Sequence, residues 1–100
     1  MATFAIRYTY GENSEAAKAP YSEAHMQFLT AQFEAKRLLL SGRVLADEAS
    51  GVAAGALLIV SGESIDDVTR LMDGEPFMQN GVVARREIAE WNIAFGEIAR

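Results

Sequence analysis

The stretch TFAIRYTY, residues 3–10, decides the architecture. Its larger apolar side chains, Phe4, Ile6, Tyr8 and Tyr10, alternate with Ala5, Arg7 and Thr9, the two-residue period of a β-strand with one face buried. The other unmistakable strand signal is GALLIVSG from Gly55, a continuous apolar run bounded by glycines, which predicts a strand over residues 55–61. Everything between and after these two runs is read by how it connects them.

Residues 11–19 are small and polar, a loop with room for one helical turn after Asn13 or Ser14. Pro20 suits the first turn of a helix, where its missing N–H costs nothing. From Tyr21 to about Lys36 the spacing is helical: Tyr21, His25, Phe28, Leu29 and Phe33 share one side, while Glu23, Gln27, Thr30 and Glu34 face away. Gly42 in LLLSGRVLADE reads as a bend, which predicts a strand over 42–48 and a hairpin loop over 50–54. Ser64 is a natural N-cap for a second helix, with Asp66 and Asp67 in the first turn, where negative charge suits the helix dipole. GVVARREIAEW reads as a last strand over 81–91, followed by a short tail, NIAFGEIAR, expected to form a docked helix.

The order is β-α-β-β-α-β, the ferredoxin-like α+β pattern, in which two helices cover one face of a four-stranded antiparallel sheet. Apolar runs in the first and third strands predict that the other face is also covered, which favours a homodimer stacked sheet on sheet. One hundred residues, half of them hydrophobic, are read as a single domain over 1–100.

Composition excludes several classes of function. The formal net charge of −5 argues against nucleic acid as a partner, because that affinity rests on clustered Lys and Arg. Arg85 and Arg86, as neighbours on a strand, point to opposite faces and form no patch. There is no long apolar segment and no secretory leader pattern, so a soluble cytoplasmic protein without a membrane partner is expected. With one histidine and no cysteine, a zinc site would need at least three other ligands, so no metal and no cofactor is expected.

The chemistry-bearing residues are few. His25 lies on the inward stripe of the first helix, and an imidazole is the side chain best suited to acid/base work near neutrality. The turn DGEPFMQNG, residues 73–81, carries Asp73 and Glu75, either of which is a candidate partner for it. Spacing alone favours the plainer alternatives: a packed histidine with one hydrogen bond, and a turn whose acids bond nearby backbone N–H groups. Tyr8, Tyr10 and Tyr21 are candidate pocket walls or donors, with core packing as the simpler reading. Arg7 is a candidate holder of a substrate carboxylate, or a residue of a surface ion pair.

Taken together, YSEAHMQFLTAQFEAKRLLLSG, GALLIV and EPFMQNGVVARREIAEW resemble the YCII-related (YciI-like) family. The resemblance implies a dimeric α+β barrel in which a first-helix histidine and an aspartate before Pro-Phe or Pro-Tyr form a catalytic pair. His25 matches the histidine, and Glu75 stands where the family has aspartate. Lys36 stands where the family often has glycine. The chemistry implied is lyase, dehydrochlorinase or isomerase-like proton transfer on a small ring compound; the alternative is a non-catalytic homodimer that binds a small ligand or regulates a partner.

Overall fold

Alternation in β1 (Ala2–Tyr10) sorts the molecule into two sides. In the computed structural model, which describes residues 1–97, Phe4, Ile6 and Tyr8 are buried on the side that carries the helices. The elements that follow are α1 (Ser14–Lys18), a 3-10 turn (Ala19–Tyr21), α2 (Ser22–Glu34), β2 (Leu38–Val44), β3 (Gly55–Gly62), α3 (Ile65–Asp73), α4 (Pro76–Gln79) and β4 (Val83–Glu90). The four strands form one antiparallel sheet in the order β2-β3-β1-β4, the ferredoxin-like α+β arrangement with its helices on one face.

Register explains the core. Phe4, Ile6 and Tyr8 stand opposite Val60, Leu58 and Ala56 of β3, and Ile6 also faces Ile88 of β4. Leu29 of α2 and Val68 and Met72 of α3 close over this row. Each such side chain contributes about 1.5–3 kcal/mol when fully withdrawn from water. On the reverse side, Arg7 lies opposite Leu57, which lies opposite Gly42. Leu57 and Leu40 remain substantially exposed there.

Local capping fixes where the helices start and stop. Ser64 Oγ accepts the Asp67 N–H at 3.1 Å, and Asp67 Oδ2 accepts both the Glu63 N–H and Arg37 Nη2 at 2.9 Å. The cap of α3 is thereby tied to the entry of β2. At the end of α2, the Lys36 N–H donates to Phe33 O (3.0 Å) and the Arg37 N–H to Gln32 O (2.9 Å), the paired bonds of a Schellman turn. Lys36 takes the left-handed conformation that this turn requires, with φ 63°.

That early stop moves β2. It runs over Leu38–Val44 rather than 42–48, because the chain is already extended two residues past Lys36. Gly42, expected as a bend, is a strand residue with open space around its Cα. The β2–β3 connection spans residues 45–54, steadied by an Asp47–Val52 bridge. α2 is shorter than expected, the turn over residues 73–81 contains a one-turn helix of its own, α4, and β4 begins at Val83. The expected C-terminal helix is absent over residues 91–97, where Gly96 adopts φ 92°; its last three positions lie outside the described residues.

Candidate active site

Glu75 is held by the residue that follows it. Proline disfavours helix at the position before it, and Glu75 accordingly sits at φ −72°, ψ 130°, between the end of α3 and the start of α4. Pro76 opens α4, and Glu75 caps it: the Phe77 N–H donates to Glu75 Oε2 at 2.6 Å. The capping geometry turns the carboxylate inward, where it is fully buried.

His25 meets it there. Its Nδ1 lies 3.0 Å from the same Oε2, and its ring stacks on Phe77 with centroids 3.8 Å apart and planes 5° from parallel. Tyr10 closes the other side of Phe77 edge-on, at 6.2 Å and 85°. Leu29, one turn beyond His25 on α2, anchors the helix in the core, so the imidazole is presented from a rigid element. The His25–Glu75 contact is within ion-pair distance, but its alignment falls outside hydrogen-bond geometry. Nδ1, Glu75 Oε1 and Tyr8 Oη are buried without a hydrogen-bond partner among the described residues.

Charge around this pair is distributed along the sheet. Burial, then the Glu75 carboxylate, hold the Tyr8 hydroxyl protonated far above the ordinary phenol range, with Arg86 acting weakly the other way. Arg86 stands directly across from Tyr8 in the β1–β4 pairing. Its Nη2 donates to Asp73 Oδ1 at 2.8 Å, while its Nη1 is buried with no partner among the described residues. Tyr10 is also pushed up, by burial first and Glu75 second, with Arg43 lowering it.

A cavity of about 520 Å³ opens beside His25, between α2 and β2. Its walls include Tyr10, Leu29, Phe33, Leu38, Arg43 and Ala56. Mostly apolar lining with a few polar groups at one end is the usual make-up of a small-molecule site. Among the described residues, no group of three or more His, Asp or Glu is placed to hold a metal ion, and no helix is long and apolar enough to cross a membrane.

The residues singled out from sequence fall in different places. His25 and Glu75 come together; Asp73 points to Arg86 instead. Tyr8 is fully buried and does not line the cavity, whereas Tyr10 does. Tyr21 lies in the 3-10 turn one turn ahead of His25, also outside the cavity lining. Arg7 is odd-numbered in a strand whose even side chains face the helices, so it points to the opposite side, where it donates to Tyr8 O and Ala53 O. Three residues close to the pair or the cavity are not among the sequence-derived site candidates: Phe77, Arg86, considered only as part of a basic patch, and Arg43. The signal for Arg86 was its two-residue spacing from Ile88, which puts it on the inward face of β4.

The sequence model of the YCII-related domain matches residues 2–92. No curated protein matches the chain in sequence. Among solved structures, 5-chloro-2-hydroxyhydroquinone dehydrochlorinase from Burkholderia phenoliruptrix AC1100, in complex with 2,5-dihydroxybenzoquinone, superposes with a TM-score of 0.74 at 22% identity, covering 90% of this chain and 93% of that one. Protein Atu4242 from Agrobacterium tumefaciens gives 0.57 at 14% identity, covering 99% and 100%. A mutant form of SnoaB, a cofactor-independent oxygenase from Streptomyces nogalater, gives 0.55 at 11% identity, covering 95% and 94%. These three share the fold, and the match over residues 2–92 carries the assignment: the chain belongs to the YCII-related family.

Proposed function

We propose that this protein is a small acid/base enzyme acting on a compact organic ring compound, with His25 as the proton-transfer group and Glu75 as its orienting partner. The observation that carries the reading is the 3.0 Å approach of a fully buried carboxylate to Nδ1 of His25, an imidazole that lines an apolar cavity. With Nδ1 committed to Glu75, Nε2 is the nitrogen left for a ligand. It removes a proton from a ring O–H or C–H, and the electron pair so released either expels a leaving anion or is protonated elsewhere on the ring. The Glu75 carboxylate, 3.0 Å from Nδ1, electrostatically favours the tautomer with its proton on Nδ1, which leaves Nε2 basic, and stabilises the imidazolium once formed. Phe77 holds the ring plane by stacking. The exposed Leu40 and Leu57 on the reverse face of the sheet support a homodimer that buries that face.

The chlorinated hydroquinone named for the dehydrochlorinase is a suitable first compound: one O–H proton is removed while the chlorine-bearing carbon is protonated to a keto tautomer, and loss of a second O–H proton then expels chloride, leaving a hydroxyquinone and HCl with no external oxidant. Chloride release and quinone absorbance are measured together for wild type, Glu75→Gln and His25→Asn. The amide oxygen that Glu75→Gln introduces can still accept from the Phe77 N–H, so the fold is retained while the charge is lost. Turnover in Glu75→Gln is expected to fall by about 100- to 10,000-fold. A wild-type protein that binds this compound and its unchlorinated and isomeric analogues without converting any of them refutes the enzymatic reading in favour of a homodimeric ligand-binding or regulatory protein.

A further inference from the structure

The cavity has a charged end that the His25–Glu75 pair does not use. Among the described residues Arg43 is the one wall residue with a fixed positive charge, set beside Leu29, Phe33, Leu38 and Ala56. Sheet register aims it at the same side as the pair: Arg43 stands opposite Ala56, and Ala56 opposite Tyr8, in one cross-strand row on the helix-bearing face. Two interstrand spacings separate Arg43 from Tyr8, about 10 Å between Cα atoms. Ala56, the small residue between them, leaves that span open.

Arg43 is also free to engage a ligand. Its only ion pair among the described residues is a loose one, 3.8 Å to Glu15 Oε1, and that oxygen is already held by Lys18 Nζ at 3.1 Å. The guanidinium is largely exposed. At the far side, behind His25, lies the Glu75 carboxylate. Tyr10, between the two, feels both charges in opposite senses. The cavity therefore has Arg43 in its wall on one side and His25 on the other, with the buried Glu75 carboxylate behind the imidazole rather than in the lining.

Resting on the reading of His25 and Glu75 as a ligand-directed pair, we propose that Arg43 selects ring compounds bearing one anionic oxygen group, a carboxylate or phenolate, and seats that group at the β2 end of the cavity. The opposite edge of the ring is then turned toward His25. A guanidinium fork suits a carboxylate because it donates two parallel N–H bonds to the paired oxygens, and it gives a phenolate a single charge-assisted bond. The Glu75 carboxylate behind the imidazole disfavours the reversed orientation.

The test compares two nearly isosteric probes, the anionic 2,5-dihydroxybenzoate and the neutral 2,5-dihydroxybenzamide, by isothermal titration at low salt. The wild-type protein is expected to bind the acid about tenfold more tightly than the amide, the effect of one charge-assisted hydrogen bond. Arg43→Gln should bind the two equally, and Arg43→Lys should retain part of the preference. Raising the salt should shrink it, since Arg43 is exposed. Equal binding of the two probes by wild type, an unchanged preference in Arg43→Gln, or no binding of either probe at millimolar concentration each overturns the proposal. The catalytic reading is judged separately. Glu75→Gln should leave the acid-to-amide ratio intact, so a lost preference with conversion retained sinks only the role of Arg43, and the reverse result sinks only the chemistry.

Discussion

Replacing Lys36 with glycine should stabilise the protein, and the size of the gain follows from the end of α2. Lys36 sits at φ 63°, where a Cβ crowds the backbone at a cost of about 1–2 kcal/mol. Glycine removes that cost but loses about 0.4–1 kcal/mol through the greater freedom of the unfolded chain. It also gives up the favourable effect of a cation at a helix C-terminus, roughly 0.3 kcal/mol for an exposed side chain. Lys36 makes no ion pair among the described residues, and the two Schellman bonds use backbone atoms only. The net gain is about 0.5 kcal/mol, or a rise in Tm of roughly 2–4 °C for a domain of this size. Thermal unfolding followed by circular dichroism measures it, with Lys36→Ala as the control. Alanine keeps the Cβ and the strain, so its Tm should stay level or fall. If glycine gives no gain, or alanine gains as much, the left-handed backbone is not the source and the reasoning fails.

Alkaline pH should destabilise the fold through Tyr8. Above about pH 10 the unfolded chain releases the Tyr8 proton while the folded chain keeps it, so the unfolded state binds fewer protons and rising pH favours unfolding, by about 1.4 kcal/mol per pH unit for this one group. Urea titrations between about pH 9 and pH 11 should show a shallower decline in Tyr8→Phe than in wild type; equal slopes would remove Tyr8 from the account. Gly55→Ala should cost about 3 kcal/mol or more, because the added Cβ is driven into the Tyr8 carbonyl group, which is backbone and cannot swing aside. A variant with unchanged urea midpoint would show that β3 shifts freely against β1, contrary to their continuous pairing.

The sheet was legible because its signals are local. Phe4, Ile6 and Tyr8 announce one buried face by alternation alone, and the apolar run after Gly55 marks a strand flanked by neighbours on both sides. The displacement of β2 was not legible in the same way. Leu38, Leu39 and Leu40 continue a helical apolar pattern as readily as they begin a strand, and what decides between them is a left-handed lysine, a residue type with no marked preference for that conformation. The pairing of His25 with Glu75 rather than Asp73 depends on side-chain direction. Pro76 fixes Glu75 as the cap of α4 and so turns it inward, while Asp73, two residues earlier at the end of α3, falls beside Arg86. Proline chemistry favours Glu75, but only the β1–β4 register reveals that an arginine waits for Asp73. Tyr8 and Arg7 show the same point from the other side: both stand near the site in sequence terms, and strand parity buries one and sends the other to the opposite face.

One carboxylate oxygen serves both the His25 imidazole and the first turn of α4. Fraying of that four-residue helix and loss of the pair are therefore a single event. A helix of one turn has little cohesion of its own, so its opening free energy is set by the packing of Phe77 and lies well below that of the whole domain. The fraction of molecules poised for proton transfer at any instant is the fraction with this turn closed, and an occupied cavity that needs the pair raises that fraction at the expense of the frayed form. Native-state exchange of the Phe77 amide proton reads the equilibrium directly, since the bond that protects it is made to the oxygen that faces His25.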